Sequence, residues 1–454
     1  MKESNFLFSC SLAGWILLAC VAGLPAQAQE VLKSQPQQDL LGVGRPVLSG
    51  PLSLASAVRL AEQKSLEVQI SEQDLASAEA EVRTARSARL PLITLGGAYT
   101  LANDNFFYTL SQGPGNIPRS STGELNLGVS LPLYTGGKLE AREDQAVTVH
   151  EAAHFDLAAT RRTSVLAARQ AYYQAVLAQA QVGVYRDYVA QREAALSNTR
   201  ERLTVGKVTR IYVLRDETEL ATAKQTLITA QTLLNSALAD LKRTLGVSPT
   251  SDFTLNDRLV IQQLEIDLPQ ILAVVKQKNP ELQALRLRIK AADTEVRIAN
   301  AAFLPQVNLY GQGELRTPQT DGFGNGGSLV VAATLPILDF GGRRAEVDKA
   351  MANLRKAQLQ SEAKEQELAQ TVTHTWLELQ KADSTIQLTR KAVEQATEEN
   401  RLSKERFAVG RSIQVELLDS SVALLKAQLE NLKAMYDYNV ARAQLEQATN
   451  GQVS

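Results

Sequence analysis

The sequence predicts a mainly α-helical protein with a smaller β segment, built from two copies of one unit. Two long stretches lack proline, one between Pro132 and Pro249 and one after Pro336. Since proline breaks helix interiors, such gaps indicate very long helices. Short motifs also recur at a nearly constant spacing, and between them large aliphatic residues alternate with small or polar ones, as in β-strands.

The composition excludes several classes of protein. With 48 Lys+Arg against 49 Asp+Glu, the formal net charge is -1. This balance argues against a strongly basic nucleic-acid binder, so no nucleic acid is expected as a partner. Aromatic residues make up only 5% of the chain. Because these residues usually dominate core burial, one large compact core is not expected.

An export signal is predicted at residues 1–28. Its apolar stretch is followed by Ala26-Gln27-Ala28, a small-x-small cleavage site. A transmembrane anchor is an alternative, but the apolar stretch is short and interrupted. Lipidation at Cys20, after Leu-Leu-Ala, is a further alternative that the sequence leaves open.

Cys10 and Cys20 are the only cysteines, and cleavage would remove both. The mature chain would then lack disulfides and thiolate metal sites. No cofactor is implied. An extended segment, 29–51, is expected to follow the signal.

The duplication divides the mature chain into a first repeat at 52–246 and a second at 268–451, joined by a linker at 247–267. Two motifs recur 204 residues apart, and the other two recur 214 and 205 residues apart. The larger offset reflects a shorter loop between the strands of the second repeat. The pairs are Leu90-Pro91 with Leu304-Pro305, Leu131-Pro132 with Leu335-Pro336, Gly136-Gly137 with Gly341-Gly342, and Arg202–Gly206 with Arg406–Gly410.

Each repeat is predicted to contain a helical hairpin, at about 138–245 and about 343–449, with tips at 205–206 and 409–410. The first helix of each hairpin would be ~100 Å long at ~1.5 Å per residue. Helices of this length are typical of coiled coils. A shorter helix is expected to enter each repeat, at 52–89 and 268–302.

Four strands are predicted, at about 91–101, 124–134, 305–315 and 327–338. Their length and alternation are typical of transmembrane β-strands, although a soluble sheet with one wet face is the alternative. Four strands cannot close a barrel, and open edges are not viable in lipid. Further copies must therefore complete it: a dimer would supply eight strands and little lumen, whereas a trimer would supply twelve and an open pore.

The motifs together resemble the TolC family of bacterial outer-membrane efflux channels. The resemblance rests on the duplicated units, the Leu-Pro strand pairs with Leu131-Pro132-Leu133-Tyr134-Thr135-Gly136-Gly137, Asn279-Pro280-Glu281-Leu282, and the two R-L/F-x-V-G tips. It implies a homotrimer with a 12-stranded β-barrel in the outer membrane lipid of a Gram-negative bacterium and an α-barrel through the periplasm. It also implies docking on a periplasmic adaptor and an inner-membrane pump, as in tripartite efflux or type I secretion.

The resemblance also suggests functional residues at the hairpin tips. Val205-Gly206 and Val409-Gly410 would be the adaptor-docking tips. Carboxylates just past the second tip ring the closed entrance in the family.

By position these carboxylates fall on Glu416 and Asp419, three residues apart on one helical face. Tyr212 and Arg215 stand at the equivalent positions of the first repeat, with Arg210 nearby. They are expected to hold the gate closed by charge-assisted bonds. The alternative is an ordinary solvated helix face.

Two other functions compete with a channel. His150-Glu151-Ala152-Ala153-His154 fits the H-E-x-x-H pattern of zinc metallopeptidases. A catalytic zinc needs a third ligand, and no His follows before His374 and no Glu before Glu193, so no enzyme and no metal site are expected. A structural coiled-coil protein of the envelope without a pore would explain the helices but not the strands.

Overall fold

The computed structural model describes residues 46–103, 119–261, 267–317 and 324–449. The chain divides into Met1–Val47 and Leu48–Ser454, and every element described below belongs to the second unit. The predicted signal at 1–28 and most of the segment 29–51 lie outside the described residues.

Within the residues that the structure describes, each repeat contains the same four helices, of 11, 22, 67 and 35 residues. Identical lengths in the same order confirm the predicted duplication and the long helical hairpins. In the first repeat the helices are α1 (Leu54–Lys64), α2 (Leu66–Ser87), α3 (Lys138–Thr204) and α4 (Arg210–Thr244). In the second they are α5 (Leu268–Lys278), α6 (Pro280–Ala301), α7 (Gly342–Ala408) and α8 (Gln414–Ala448).

Within the ranges that the structure describes, none of the helices combines the length and the apolar character needed to cross a membrane.

The long helices pack along narrow seams of mostly small residues that recur every seven positions. This spacing is the heptad of coiled coils, in which 3.5 residues per turn keep one stripe facing the partner helix. The buried residues that follow it are Ala168, Ala175, Val182, Val189 and Leu196 on α3, Asp216, Ala223, Ala230 and Ala237 on α4, and Ser420, Ala427, Ala434 and Ala441 on α8.

The entering helices are each broken, whereas the sequence predicted one continuous helix per repeat. Ser65 has an extended backbone and accepts a hydrogen bond on its Oγ from the Val68 amide at 3.2 Å, so it caps α2. Asn279 caps α6 in the same way, and Pro280 occupies the first helical position. Serine and asparagine caps satisfy orphan amides at a helix start, and proline there cannot continue the preceding helix.

The described residues contain six strands, which form two sheets. They are β1 (Ser49–Leu52), β2 (Leu92–Asn103), β3 (Arg119–Tyr134), β4 (Asp252–Leu255), β5 (Gln306–Thr317) and β6 (Gly324–Thr334). The larger sheet has the order β2-β3-β5-β6, with all neighbours antiparallel. The two repeats thus meet at the β3–β5 pair, while β2 and β6 form the edges.

The predicted extended segment (29–51) and linker (247–267) contain all of the smaller sheet except Leu52, and the sequence did not predict this sheet. β1 and β4 pair in parallel, with Leu52 opposite Leu255. Tyr172 of α3 is 1% exposed and donates its hydroxyl to Leu52 O at 3.0 Å and to Asp257 Oδ2 at 2.8 Å. These two hydrogen bonds hold the β1–β4 ribbon, the smaller sheet, against the first helical hairpin.

The strand ends differ from the prediction in one informative place. β3 begins at Arg119, before the predicted start, but β6 ends at Thr334 although the prediction ran to 338. The corresponding first-repeat residues, 131–134, remain in β3 because they pair with β5. No described residue pairs with 335–338 in this way, so no ladder holds them as a strand.

The turns that lead into α3 and α7 correct the expected pairing of glycines. Gly137 and Gly341 both precede the first helical residue, with φ of 79° and 95°. They are therefore equivalent at an offset of 204, rather than 205 as the paired glycines suggested. Gly136, at φ 65°, then corresponds to Phe340, at φ 53°. Phe340 thus keeps a left-handed backbone that glycine adopts far more easily.

Candidate functional site at the helical hairpin tips

Both hairpins turn through the same backbone motif. Gly206 has φ +73°, its amide donates to Leu203 O at 3.0 Å, and the Lys207 amide donates to Arg202 O at 2.9 Å. Gly410 repeats this arrangement with φ +74°. The pattern is a Schellman cap, in which a left-handed glycine ends a helix and satisfies its last carbonyls.

The tips present apolar side chains to solvent. Val205 is 66% exposed and Val409 is 69% exposed. A Cβ added at Gly206 or Gly410 would meet no heavy atom within 4 Å, so only the backbone conformation requires glycine there. Two capped turns that each expose an apolar side chain make a surface suited to recognition by another protein.

The two tips lie side by side within one chain. The Arg202 guanidinium donates to Phe407 O at 3.5 Å and to Ala408 O at 3.4 Å, and it stacks 4.8 Å from the centre of the Phe407 ring. Gln414 is 3% exposed and donates from Nε2 to Tyr212 O at 3.1 Å. These contacts connect α3 to α7 and α4 to α8 at the end where the predicted gate residues lie.

The predicted gate carboxylates are both exposed at the start of α8. Glu416 accepts a hydrogen bond from the Ser412 hydroxyl in the turn before the helix. Asp419 lies one turn further along α8 and is exposed. Their solvated position leaves both groups able to face a lumen.

The predicted partners of these carboxylates lie on the neighbouring hairpin. Arg210 and Arg215 are exposed on α4, and Tyr212 is half-buried. Among the described side chains, no hydrogen bond or ion pair joins Glu416 or Asp419 to these three residues. The bonds predicted to hold the gate are therefore not formed within one chain.

Sequence reasoning missed a buried polar layer just above the tips. Thr199 and Asp216 are each 4% exposed, and the Thr199 hydroxyl donates to Asp216 Oδ2 at 2.6 Å. In the second repeat, Asn400 Nδ2 donates to Ser420 Oγ at 3.2 Å and to Ser421 Oγ at 2.8 Å. Asp216 and Ser420 occupy the same heptad position of the two repeats, and a polar residue in an otherwise small apolar seam is the signal that could have found them.

A cavity of about 280 Å³ lies between the hairpins at this level. Arg192 lines it, is 3% exposed and lies 5.2 Å from the centre of the Tyr188 ring. Among the described atoms, Arg192 Nε and Gln414 Oε1 are buried without a hydrogen-bond partner. Burial, and secondarily the charge of Arg192, lower the pKa of Lys404, which also lines the cavity.

The H-E-x-x-H residues lie far along α3 from the tips. The rings of His150 and His154 meet edge to face, with centroids 4.9 Å apart. In the part of the chain that the structure describes, no group of three His, Cys, Asp or Glu residues is placed to hold a metal ion. Ala152 is buried at 2% exposure, while Glu151 is exposed and Ala153 half-buried, so the motif lies on an ordinary partly buried stretch of the long helix.

Comparison with known families decides the identity. The profile of the family described as "Outer membrane efflux protein" matches residues 57–247 and 271–451. The chain belongs to this family. Its members are channel proteins of the outer membrane, so the predicted function and location are confirmed, as is the resemblance to TolC.

Two curated relatives of this efflux family align over most of both chains. The outer membrane efflux protein BepC of Brucella suis is 26% identical over 81% of this chain and 78% of its own. The outer membrane protein TolC of Escherichia coli is 24% identical over 88% of this chain and 84% of its own.

A solved structure shares the fold. The outer membrane channel MtrE of Neisseria gonorrhoeae, in its open state, superposes with a TM-score of 0.74 at 19% identity. The match covers 88% of this chain and 89% of that chain. The mainly helical, duplicated fold predicted from the sequence is therefore confirmed.

Proposed function

We propose that three copies of this efflux protein assemble into one conduit from the periplasm to the exterior, docked through its hairpin tips on a periplasmic adaptor and an inner-membrane pump. The observation that carries the proposal is the four-stranded sheet with two open edges. Twelve strands from three copies close such a sheet around an open lumen, whereas eight from two copies fill it with side chains. The proposal covers either a tripartite efflux or a type I secretion system.

The tips are the docking elements of this assembly. Val205 and Val409 project from capped, rigid turns, and each turn ends a 67-residue helix that starts next to the sheet. Such helices are ~100 Å long, so the tips lie far from the strands. An adaptor would bind there through apolar contacts with both turns.

The gate of this conduit is the group of charged residues just past the tips. Glu416 and Asp419 of three copies would place six carboxylates around the axis. Arg210, Arg215 and Tyr212 have no bond to these carboxylates within one chain, so they are available to a neighbouring copy. Bonds between copies would offset carboxylate repulsion and hold the entrance closed.

We further propose that the chain carries no peptidase activity. His150, Glu151 and His154 lie on one helix without a third ligand nearby among the described residues. Zinc-loaded protein should not cleave a generic peptide substrate. Cleavage that is lost in His154→Ala would overturn this.

The docking role is tested in cells that depend on the protein for resistance to an exported compound. Replacing Gly206 and Gly410 by valine should abolish resistance, because a β-branched residue cannot adopt the positive φ that shapes the tips. Gly183→Val, in the middle of α3, is the matched control and should preserve resistance. Assembly of each variant is checked by its mass in detergent, and unchanged resistance in the double variant at normal expression would exclude the tips as docking elements.

A further inference from the structure

The cavity between the hairpins, just above the tips, contains a buried guanidinium that no described carboxylate neutralises. Arg192 on α3 is 3% exposed, and its Nε has no hydrogen-bond partner among the described atoms. The face of the Tyr188 ring, 5.2 Å away, attracts the cation but supplies no oxygen to its N–H groups. A buried charge is costly unless it is paired and hydrogen-bonded, so an anion beside Arg192 would be strongly stabilising.

A second cation without a carboxylate partner lines the same cavity from the other hairpin. Lys404 on α7 forms no ion pair with any residue that the structure describes. Burial, followed by the charge of Arg192, lowers its pKa. The two like charges therefore disfavour each other across the space between α3 and α7. An anion between them would replace this repulsion by two charge-assisted contacts.

The coiled coil does not itself require an arginine at this place. The equivalent residue of the second repeat, 204 positions further on, is Ala396, which is also buried, at 8% exposure. A small apolar residue thus fills the corresponding position of α7, as small residues do along much of the seams. Helix packing alone therefore does not account for the long charged side chain of Arg192.

The internal repeat also shows what Lys404 lacks. Its counterpart in the first hairpin is Arg200, which forms an ion pair with Glu217 at 2.7 Å. The residue equivalent to Glu217 in the second hairpin is Ser421, whose hydroxyl carries no charge. The carboxylate that neutralises the cation of one hairpin is therefore missing from the other.

The charged lining leaves the cavity with a positive excess. Arg192, Arg202 and Lys404 are its cations, and Asp216 is its one carboxylate among the described residues. Asp216 already accepts a hydrogen bond from the Thr199 hydroxyl at 2.6 Å. The cavity volume of about 280 Å³ is several times the ~30 Å³ that a water occupies in the liquid, so a small anion fits together with waters.

We propose that this cavity binds a small oxoanion, such as inorganic phosphate, between the Arg192 guanidinium and the Lys404 ammonium. The guanidinium selects an oxoanion over a halide, because its fork of N–H groups matches two oxygens at once. The site lies within one chain, so it does not depend on the proposed assembly of three copies. The bound oxoanion joins α3 to α7 and adds a link between the hairpins to those made by Arg202 and Gln414.

Binding of radiolabelled inorganic phosphate to the purified protein in mild detergent tests the site. Equilibrium dialysis, with sodium chloride in large excess throughout, should show saturable binding of one phosphate per chain. Arg192→Gln and Lys404→Gln should each weaken it at least about tenfold, the effect of losing a charge-assisted hydrogen bond. Arg186→Gln and Lys391→Gln are the matched controls, because these cations are exposed on the same two helices and do not line the cavity. Both controls should bind phosphate as the wild type does.

Thermal unfolding gives a second readout, in which the sign of the effect depends on the anion. In buffer free of oxoanions, Arg192→Met should unfold at a higher temperature than the wild type, because an apolar side chain of similar length replaces an uncompensated buried charge. Saturating phosphate should raise the unfolding temperature of the wild type but not that of Arg192→Met, since only the wild type binds it.

Three results would overturn the site. The first is the absence of saturable phosphate binding by the wild type in excess chloride. The second is equal binding by the two cavity variants and the two controls. The third is a lower unfolding temperature of Arg192→Met in buffer free of oxoanions, which would show that Arg192 already has a partner, such as a carboxylate of a neighbouring copy.

Discussion

At the scale of single residues, buried polar side chains lie just above the tips, at heptad positions where the seam is otherwise apolar. Asp216 is buried, and the Thr199 hydroxyl is its hydrogen-bond donor. A buried carboxylate without a donor carries a large desolvation cost. The equivalent Ser420 is neutral, and its hydroxyl and that of Ser421 both accept hydrogen bonds from the Asn400 amide. The two hairpins therefore place different polar groups at the same heptad position.

Thr199→Val should therefore lower the free energy of unfolding by about 1.5–3 kcal/mol, the range for losing a hydrogen bond to a charged group. Thr222→Val is the matched control, because Thr222 is exposed and its hydroxyl bonds only to Thr218 O of its own helix. It should change stability by less than about 0.5 kcal/mol. Urea unfolding followed by helical circular dichroism measures both, and equal effects of the two variants would contradict the proposed importance of the buried pair.

The gate carboxylates give a second prediction at this scale. If Glu416 and Asp419 converge near the axis, replacing both by alanine should reduce cation selectivity and weaken block by multivalent cations several-fold. Glu430→Ala, further along α8 and exposed, removes a similar charge away from the tip and should behave as wild type. Single-channel recording in planar bilayers measures both properties. Wild-type selectivity in the double variant would place the ring elsewhere.

A second pair of substitutions tests the bonds between copies that are proposed to hold the gate closed. Replacing Tyr212 and Arg215 by alanine should raise the resting conductance, because the bonds proposed to hold neighbouring copies together would be missing. The same recordings report this change. An unaltered closed state would mean that these two residues do not hold the gate.

At the scale of helices and strands, the sequence predicted the long elements well and their interruptions poorly. The hairpins could be located from the proline-free stretches and the repeated Val-Gly tips. Both are strong local signals, because proline breaks helix interiors and a left-handed glycine ends a helix. The break at Ser65 was missed, since a serine inside an apolar-periodic helix looks the same whether it caps or continues. The β1–β4 ribbon was also missed, because each strand has only four residues and its partner lies about two hundred residues away.

Glycines within α3 and at its end should respond to alanine with opposite signs. Gly206→Ala forces a Cβ into a left-handed backbone at φ +73° and should cost roughly 1 kcal/mol. Gly183→Ala should stabilise the helix by up to about 1 kcal/mol, because Gly183 lies in the helix interior and an added Cβ meets nothing within 4 Å in the chain. Thermal unfolding of the purified protein ranks the two variants and the wild type. The same sign for both would contradict the assigned cap.

At the scale of the whole molecule, strand alternation predicted where the sheet lies but not what closes it. The alternation of side chains predicted a strand as far as residue 338, as expected for a strand with a neighbour on each side. In the single chain, however, β6 ends at Thr334. The difference is physical: a strand needs a neighbour to accept and donate its backbone hydrogen bonds. The sequence carries the pattern for the assembly, whereas one chain contains only the ladders it can complete itself. The gate shows the same limit, since its expected bonds are not formed within one chain.

The assembled protein should therefore be a trimer. Solubilised in mild detergent, it should have about three times the mass of the mature chain, and reconstituted in bilayers it should conduct. Two copies would close eight strands, whose interior side chains fill, so a dimer should not conduct small ions through an open lumen. Native mass spectrometry and bilayer recording on the same preparation separate these states. A conducting dimer would contradict the twelve-stranded closure. A stable monomer inserted in lipid would contradict it as well, because four strands with open edges leave backbone groups unsatisfied in the membrane.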